Sequence, residues 1–183
     1  MITIKAHYEI KYLSVQYQSV LLMKPIIRTI TLKDNPQMAE VIRSVLLDFN
    51  VPKVGTAYAD ASLDCMFQTY QATGATYFVV EEDGVIIGGG GIAPLENYDG
   101  PVCELQKMYF LPVARGRGIG TQMIDRCLEF GKTMGYSHCY LETMSYMDAA
   151  QKLYRRYGFL TLDGPMGDTG HYSCGVHMLK ELN

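Results

Sequence analysis

The strongest constraint on the fold is one turn, Arg115-Gly116-Arg117-Gly118-Ile119-Gly120, set between a strand-like run and a helical one. Glu104 to Phe110 reads as a strand that Pro112 stops. Gly120, Met123, Ile124, Cys127, Leu128 and Gly131 then recur at helical spacing, and Gly135 supplies the stop. A strand feeding a glycine-rich turn and a helix gathers free backbone N–H groups at the positive end of the helix dipole. That is a ready site for phosphate oxygens. Glycine is expected here because a Cβ would obstruct the phosphates, while Arg115 and Arg117 add attraction. The turn is not a Walker A loop, since Gly-Lys-[Ser/Thr] is absent. Nor is it a dinucleotide fingerprint, which needs glycine or alanine where Thr121 stands. Taken alone, it is also compatible with a helix start that binds nothing.

The rest of the chain sets this turn in a mixed α/β sheet. Ile26 to Ile30 reads as a strand. Asp34 or Asn35 caps a helix with Pro36 in its first turn, and Met38, Val41, Ile42, Val45 and Leu46 share one face. Residues 49–56 read as a loop, and Leu63 to Tyr70 as a second short helix. Tyr77 to Val80 and Val85 to Gly88 form a hairpin around Glu82-Asp83-Gly84. The run Gly88 to Gly91 would weaken a strand unless another backbone approaches closely. His138 to Thr143 is a strand. Asp148 caps a helix carrying Ala149, Leu153, Tyr154 and Tyr157, which Gly158 ends. Phe159 to Leu162 and Tyr172 to Leu179 close the sheet. The order is two strands, then strand–turn–helix–strand–helix, then two strands. Residues 1–22 read as an optional extension, because Met23-Lys24-Pro25 looks like a fresh start; residues 23–183 form the domain.

Composition excludes several classes. The 183 residues carry 16 basic and 19 acidic side chains, a net charge of −3 without a basic footprint, so no nucleic-acid partner is expected. No apolar stretch approaches the ~20 residues that cross a bilayer, and Lys5, Glu9 and Lys11 interrupt any secretory pattern at the start. The five cysteines are odd in number and none are spaced CxxC, so neither a disulfide framework nor a metal site is expected. They read as free thiols of a cytoplasmic protein. Charge is segregated: residues 1–47 sum to +3, 48–104 to −8, 105–156 to +4 and the remainder to −2. Such a chain could hold a cation against its acidic part and a polyanion against its basic part, or both parts could be solvated faces.

Arg115-x-x-Gly118-x-Gly120, after a strand ending in Met108-Tyr109-Phe110, resembles the signature of the GNAT superfamily of N-acetyltransferases. Leu141-Glu142-Thr143 through Ala149-Ala150-x-x-Leu153-Tyr154-x-x-x-Gly158-Phe159 resembles the family's next motif. Together they span residues 104–159 in the right order. One place departs: Met147 stands where members often carry asparagine, so the resemblance does not extend to that polar contact with the pantetheine arm.

The resemblance implies a GNAT-like acyl-CoA N-acyltransferase fold, a central mixed sheet flanked by helices. It implies acetyl-CoA as co-substrate and direct attack by an amine; with the acidic balance of residues 48–104, the acceptor is expected to be a small cationic amine or a protein amine. The strand before the turn would splay from its neighbour, so that Met108, Tyr109 and Phe110 offer backbone groups to the pantetheine amides and the thioester carbonyl. The pyrophosphate would lie on Arg115, Gly116, Arg117, Gly118, Ile119 and Gly120. Two glutamates qualify as general base. Glu104 stands 11 residues before Arg115, where the histone-acetyltransferase branch carries its base. Glu142 stands 12 before Tyr154, where the ribosomal-protein acetyltransferase branch does. Glu104 is favoured because it ends the acidic segment; either could be a solvated strand carboxylate. Tyr154 would protonate the departing thiolate, or else pack on its helix face. Cys103 and Cys139 are expected in the core. Thr169 to Cys174, with Phe49 to Tyr58, would line the acceptor pocket, and His171 reads equally as a pocket donor or a satisfied histidine. A non-catalytic acyl-CoA-binding module is the alternative, and a homodimer stays open.

Overall fold

The computed structural model describes residues 24–182, so the expected optional extension lies outside the described residues. Its elements are β1 (Ile26–Thr29), α1 (Asn35–Asp48), α2 (Met66–Thr69), β2 (Thr76–Glu82), β3 (Val85–Pro94) and β4 (Val102–Phe110). There follow α3 (Ile119–Thr133), β5 (His138–Thr143), α4 (Asp148–Arg156), β6 (Leu160–Leu162) and β7 (Val176–Glu181). The seven strands form one sheet in the order β1-β2-β3-β4-β5-β7-β6. Every pairing is antiparallel except β4 with β5.

The period-2 pleat sorts side chains to two faces. On β2, Tyr77 and Val79 join Met38, Ile42, Leu46 and Met66 on the α1–α2 face. Phe78 and Val80 join Met123, Ile124, Cys127 and Leu141 on the α3–α4 face. The sheet is thus covered on both sides, as the helical spacing in α1 and α3 requires. The β2–β3 turn places Asp83 at φ 51° and Gly84 at φ 79°. Two left-handed residues match the twist of the strands and close the hairpin in two residues. No helix among the described residues is long and apolar enough to cross a membrane.

The four-glycine run lies inside β3, fully buried. A Cβ at Gly89 would meet the Tyr77 ring at 2.6 Å, one at Gly91 the same ring at 2.5 Å, and one at Gly90 the Met108 and Met123 side chains at 3.0 Å. The glycines make room both for large side chains on the two faces of the sheet and for the backbone of the flanking strands: a Cβ at Gly88, Gly89 or Gly91 would also meet the Tyr109, Phe78 or Thr76 carbonyl oxygen at 2.8–2.9 Å.

Three local expectations are corrected. Leu63 to Tyr70 is not one helix: a 3-10 turn, Ala61–Cys65, breaks at Cys65 before α2 begins. Asp148 is the first residue of α4 rather than its cap. Met147 occupies the cap, and Asp148 meets the positive end of the dipole by charge alone. The last strand starts at Val176, because His171 to Cys174 turns back on itself through a Cys174 N–H bond to the His171 carbonyl.

Candidate active site

The site is made by the failure of a ladder. Parallel pairing of β4 and β5 covers three rungs, Val102↔His138, Cys103↔Cys139 and Glu104↔Tyr140, and then stops. On the other side of β4, Gly91 pairs with Gln106 and Gly89 with Tyr109, so Lys107 and Met108 oppose Gly90 alone. Lys107 sits at φ 49°, and Tyr77 donates a hydrogen bond of 2.7 Å to its carbonyl. An extra residue in one strand bends it and sharpens its twist. From Leu105 onward the β5-facing edge of β4 has no strand partner among the described residues, and Met108, Tyr109 and Phe110 lie on that stretch.

The strand runs into the glycine turn. Gly116 and Gly118 adopt φ 72° and 75°, and Gly118 is the N-cap of α3. A Cβ on either would meet nothing within 4 Å. The backbone therefore demands glycine through its left-handed conformation, and leaves an open cradle beside the helix N-terminus. Arg115 donates through Nε to the Phe110 carbonyl at 3.0 Å, and its guanidinium lies 5.0 Å from the Phe49 ring. Arg117, the other expected source of attraction, is clamped by both oxygens of Glu82 at 2.6 and 2.9 Å.

The gap between the strands opens on a cavity of about 40 Å³. Glu104 and Glu142 both line it, one from each strand, as do Lys107, Tyr109, Met147 and His171. The segments 49–58 and 169–174 contribute Val51, Thr56, Ala57, His171 and Cys174, as their placement in the sequence predicts. Glu104 is 3% exposed and accepts a 2.6 Å bond from Gln106 Nε2, while Gln106 Oε1 accepts one of 2.8 Å from Tyr70. Burial raises the Glu104 pKa above its ordinary value. The Gln106 bond and the charges of His171 and Lys107 pull the other way, and Glu142 adds to the rise. Glu142 accepts from Tyr140 at 2.7 Å and from Thr169 at 3.0 Å.

Tyr154 packs in the α3–α4 core, edge-on to Phe159 at 5.9 Å. Burial, with the nearby Cys127 and Cys139 thiols, raises its pKa, so the phenol keeps its proton at neutral pH. Its hydroxyl makes no hydrogen bond among the described residues, and the residue as a whole is buried. Cys103, Cys127 and Cys139 are buried in the same core.

The sequence reading missed Asp60, Lys107 and Gln106. Lys107 Nζ pairs with Asp60 at 2.7 Å, and His171 Nε2 stands 3.3 Å from both Asp60 oxygens. Burial favours neutral imidazole in His171, but the Asp60 hydrogen bond and charge outweigh it and raise the pKa. Asp60 and His171 are 111 residues apart, and no local pattern joins them. The one available signal was a lysine inside an otherwise strand-forming run opposite four glycines.

Residues 40–159 match the model of the Acetyltransferase (GNAT) family. An uncharacterized N-acetyltransferase of Escherichia coli K12, YjgM, is 44% identical over 159 residues, which cover 86% of this chain and 95% of the relative. The IAA acetyltransferase of Azospirillum brasilense is 31% identical over 63% of this chain and 73% of its own. A GNAT-family acetyltransferase structure from Staphylococcus aureus Mu50 superposes with a TM-score of 0.77 at 21% identity, over 87% of this chain and 99% of that one. The Salmonella typhimurium yncA structure, solved with acetyl-CoA, gives 0.69 at 21% identity over 87% and 94%. The splayed strand, the glycine turn and these matches agree: the chain belongs to the GNAT family of acetyltransferases.

Proposed function

We propose that the protein transfers the acetyl group of acetyl-CoA to a primary amine by direct attack, with both substrates bound at once. The observation that carries this reading is the parting of β4 from β5 just past Glu104, with the glycine turn at the far end of the gap and two carboxylates facing into it.

Acetyl-CoA supplies an electrophilic thioester carbonyl and a thiolate leaving group. The residues present suit it. The open cradle at Gly116 and Gly118, beside the free N–H groups of α3, accommodates the pyrophosphate, with Arg115 alongside. The unpartnered edge of β4 at Met108 to Phe110 suits an extended amide chain and offers N–H groups to the thioester oxygen.

The acceptor amine enters from the cavity side. A free lysine-like amine has a pKa of ~10.4 and must lose a proton before it attacks. Glu104 takes that proton, directly or through water; its raised pKa makes it a stronger base than an exposed carboxylate. Glu142, across the gap on β5, holds the ammonium by charge. Tyr154 returns a proton to the sulfur as the C–S bond breaks. The narrow cavity favours a slender aminoalkyl arm, whether of a small amine or a protein side chain.

Thiol release from acetyl-CoA, measured against a panel of amines, tests the reading. Release that requires both acetyl-CoA and an amine is expected. Tight acetyl-CoA binding with no release on any amine would overturn it.

A further inference from the structure

We propose that Gln106 is a positioning residue for Glu104, held in one orientation by Tyr70, and that this three-residue chain keeps the carboxylate aimed into the gap and able to ionise there. The inference rests on Glu104 being the general base.

The geometry has one consistent reading of donors and acceptors. The Tyr70 hydroxyl donates to Gln106 Oε1 at 2.8 Å, which fixes the amide so that its NH₂ group points the other way. That NH₂ donates to Glu104 Oε2 at 2.6 Å. One carboxylate oxygen is thus engaged, and among the described residues Oε1 makes no hydrogen bond that would withdraw it from the cavity. Tyr70 is buried at 4% exposure and packs against Tyr77 with the rings tilted at 49° and 5.0 Å apart, so the first link does not wander. The bulge begins at the next residue, Lys107, so Gln106 is the last residue of β4 to keep the register that puts it beside Glu104 on one face.

The chain answers a specific difficulty. A carboxylate buried as deeply as Glu104 resists ionising, and a base that stays protonated cannot accept a proton. Other groups face it from every side. Lys107 on its own strand and His171 on the 169–174 segment favour the anion, while Glu142 on β5 opposes it. Asp60 absorbs much of the help from Lys107 and His171 by pairing with both. Tyr109 and Tyr140 lie close by and are neutral at working pH, since burial raises both. Gln106 is left as the one direct hydrogen-bond donor to the carboxylate among the described residues.

The test is a titration of the Glu104 side-chain ¹³Cδ resonance by NMR, assigned by its loss in Glu104→Gln. It is followed in the parent protein, in Gln106→Met, which keeps the volume without the bond, and in Tyr70→Phe. Hydrogen bonds to charged groups contribute enough to shift a pKa by about 1–2 units. The Glu104 midpoint is expected to rise by that amount in Gln106→Met and by less in Tyr70→Phe. The acid limb of kcat/KM for the best amine of the panel is expected to move with it, while the plateau at high pH changes little. A merely structural role would lower the plateau and leave the midpoint in place, and that result overturns the proposal alone. A midpoint that moves while the acid limb stays put, or a Glu104→Gln protein that keeps the limb, shows that another group is the base and overturns the reading beneath it.

Discussion

Glu104 and Tyr140 form the last rung between β4 and β5, and the strands part beyond them. The same rung sends Tyr140 to Glu142 through a 2.7 Å hydrogen bond, so the two carboxylates reach the cavity from neighbouring strands, two residues out of step. Glu104 is deep and bonded by a neutral amide. Glu142 takes two hydroxyl donors nearer the opening. Burial sets the two apart: Glu104 is 3% exposed and Glu142 is only partly buried, and the proposed division of labour between proton acceptor and resident charge rests on that difference.

Tyr154→Phe is expected to fold and bind CoA normally. The hydroxyl makes no hydrogen bond among the described residues, so its removal leaves no buried partner unsatisfied. Turnover should fall ~10²–10⁴-fold if the phenol is the acid that protonates sulfur. An unchanged kcat would assign Tyr154 to packing against Phe159 alone.

Gly118→Ala should cost about 1 kcal/mol or more through its left-handed backbone, since a side chain there is strained even with open space around it. CoA affinity should fall more than stability, because the methyl group occupies the cradle beside the α3 N-terminus. Calorimetry on the folded variant checks this, and an unaltered Kd removes the pyrophosphate from this turn.

These two residues show what the sequence makes legible. Periodicity and punctuation placed β5 to the residue, α1 and α3 closely, and the glycine turn between strand and helix. The two glutamates and Tyr154 came from the family resemblance instead, and the structure brings the glutamates together at one cavity. What escaped depends on distant pairing. The bulge at Lys107 exists because Gly90 across the ladder leaves room for it, and a one-dimensional pattern does not register the count of two residues against one. Gln106 gains its role from Tyr70, 36 residues earlier. The need for glycine at 118 was foreseen for its missing Cβ, whereas the backbone angle proves to be the first reason.

Glu82→Gln should tighten CoA binding severalfold at low salt. In the parent protein Glu82 clamps Arg117 with two bonds on the protein surface. Neutralising it returns a positive charge to the turn proposed to receive the pyrophosphate. The gain should fade as ionic strength rises, because exposed charges are screened beyond ~8–10 Å at physiological salt. Equal affinity of parent and variant at low salt would mean that Arg117 does not sense the phosphates.

His171→Asn should lower Tm in a pH-dependent way. Asp60 raises the folded pKa of His171 above the ordinary ~6.5. Its stabilising contribution is therefore fully present below about pH 6.5 and is lost as pH rises through the higher folded value. The gap in Tm between parent and variant should be widest near pH 6, about 2–4 °C if the pair contributes ~1 kcal/mol, and should close on the alkaline side. Asp60 keeps Lys107 in the variant, so no bare carboxylate confuses the comparison. A gap that grows with pH would reverse the assignment.

The acceptor is expected to be a cationic amine without a carboxylate, though the strong acidity of residues 48–104 is not the main reason. Four of the nine acids there are already paired: Asp60 with Lys107, Asp64 with Arg43, Glu81 with Arg28 and Glu82 with Arg117. The segregation visible along the sequence is thus partly cancelled in space. What remains at the cavity is Glu104 and Glu142, with Lys107 held by Asp60 and unavailable to a substrate anion unless that pair breaks. An ammonium thus meets two unpaired carboxyls, whereas an acceptor carboxylate meets like charge. Because these groups are sheltered, they are screened less than surface charges. The acceptor KM should rise with ionic strength, but by severalfold rather than by orders of magnitude. Steady-state rates for spermidine, lysine and an aminoglycoside, set against glutamate and aspartate at two salt concentrations, decide the matter. Preference for an anionic amino acid would mean that Lys107 leaves Asp60 to bind it, and Lys107→Met should then abolish that preference while sparing CoA affinity.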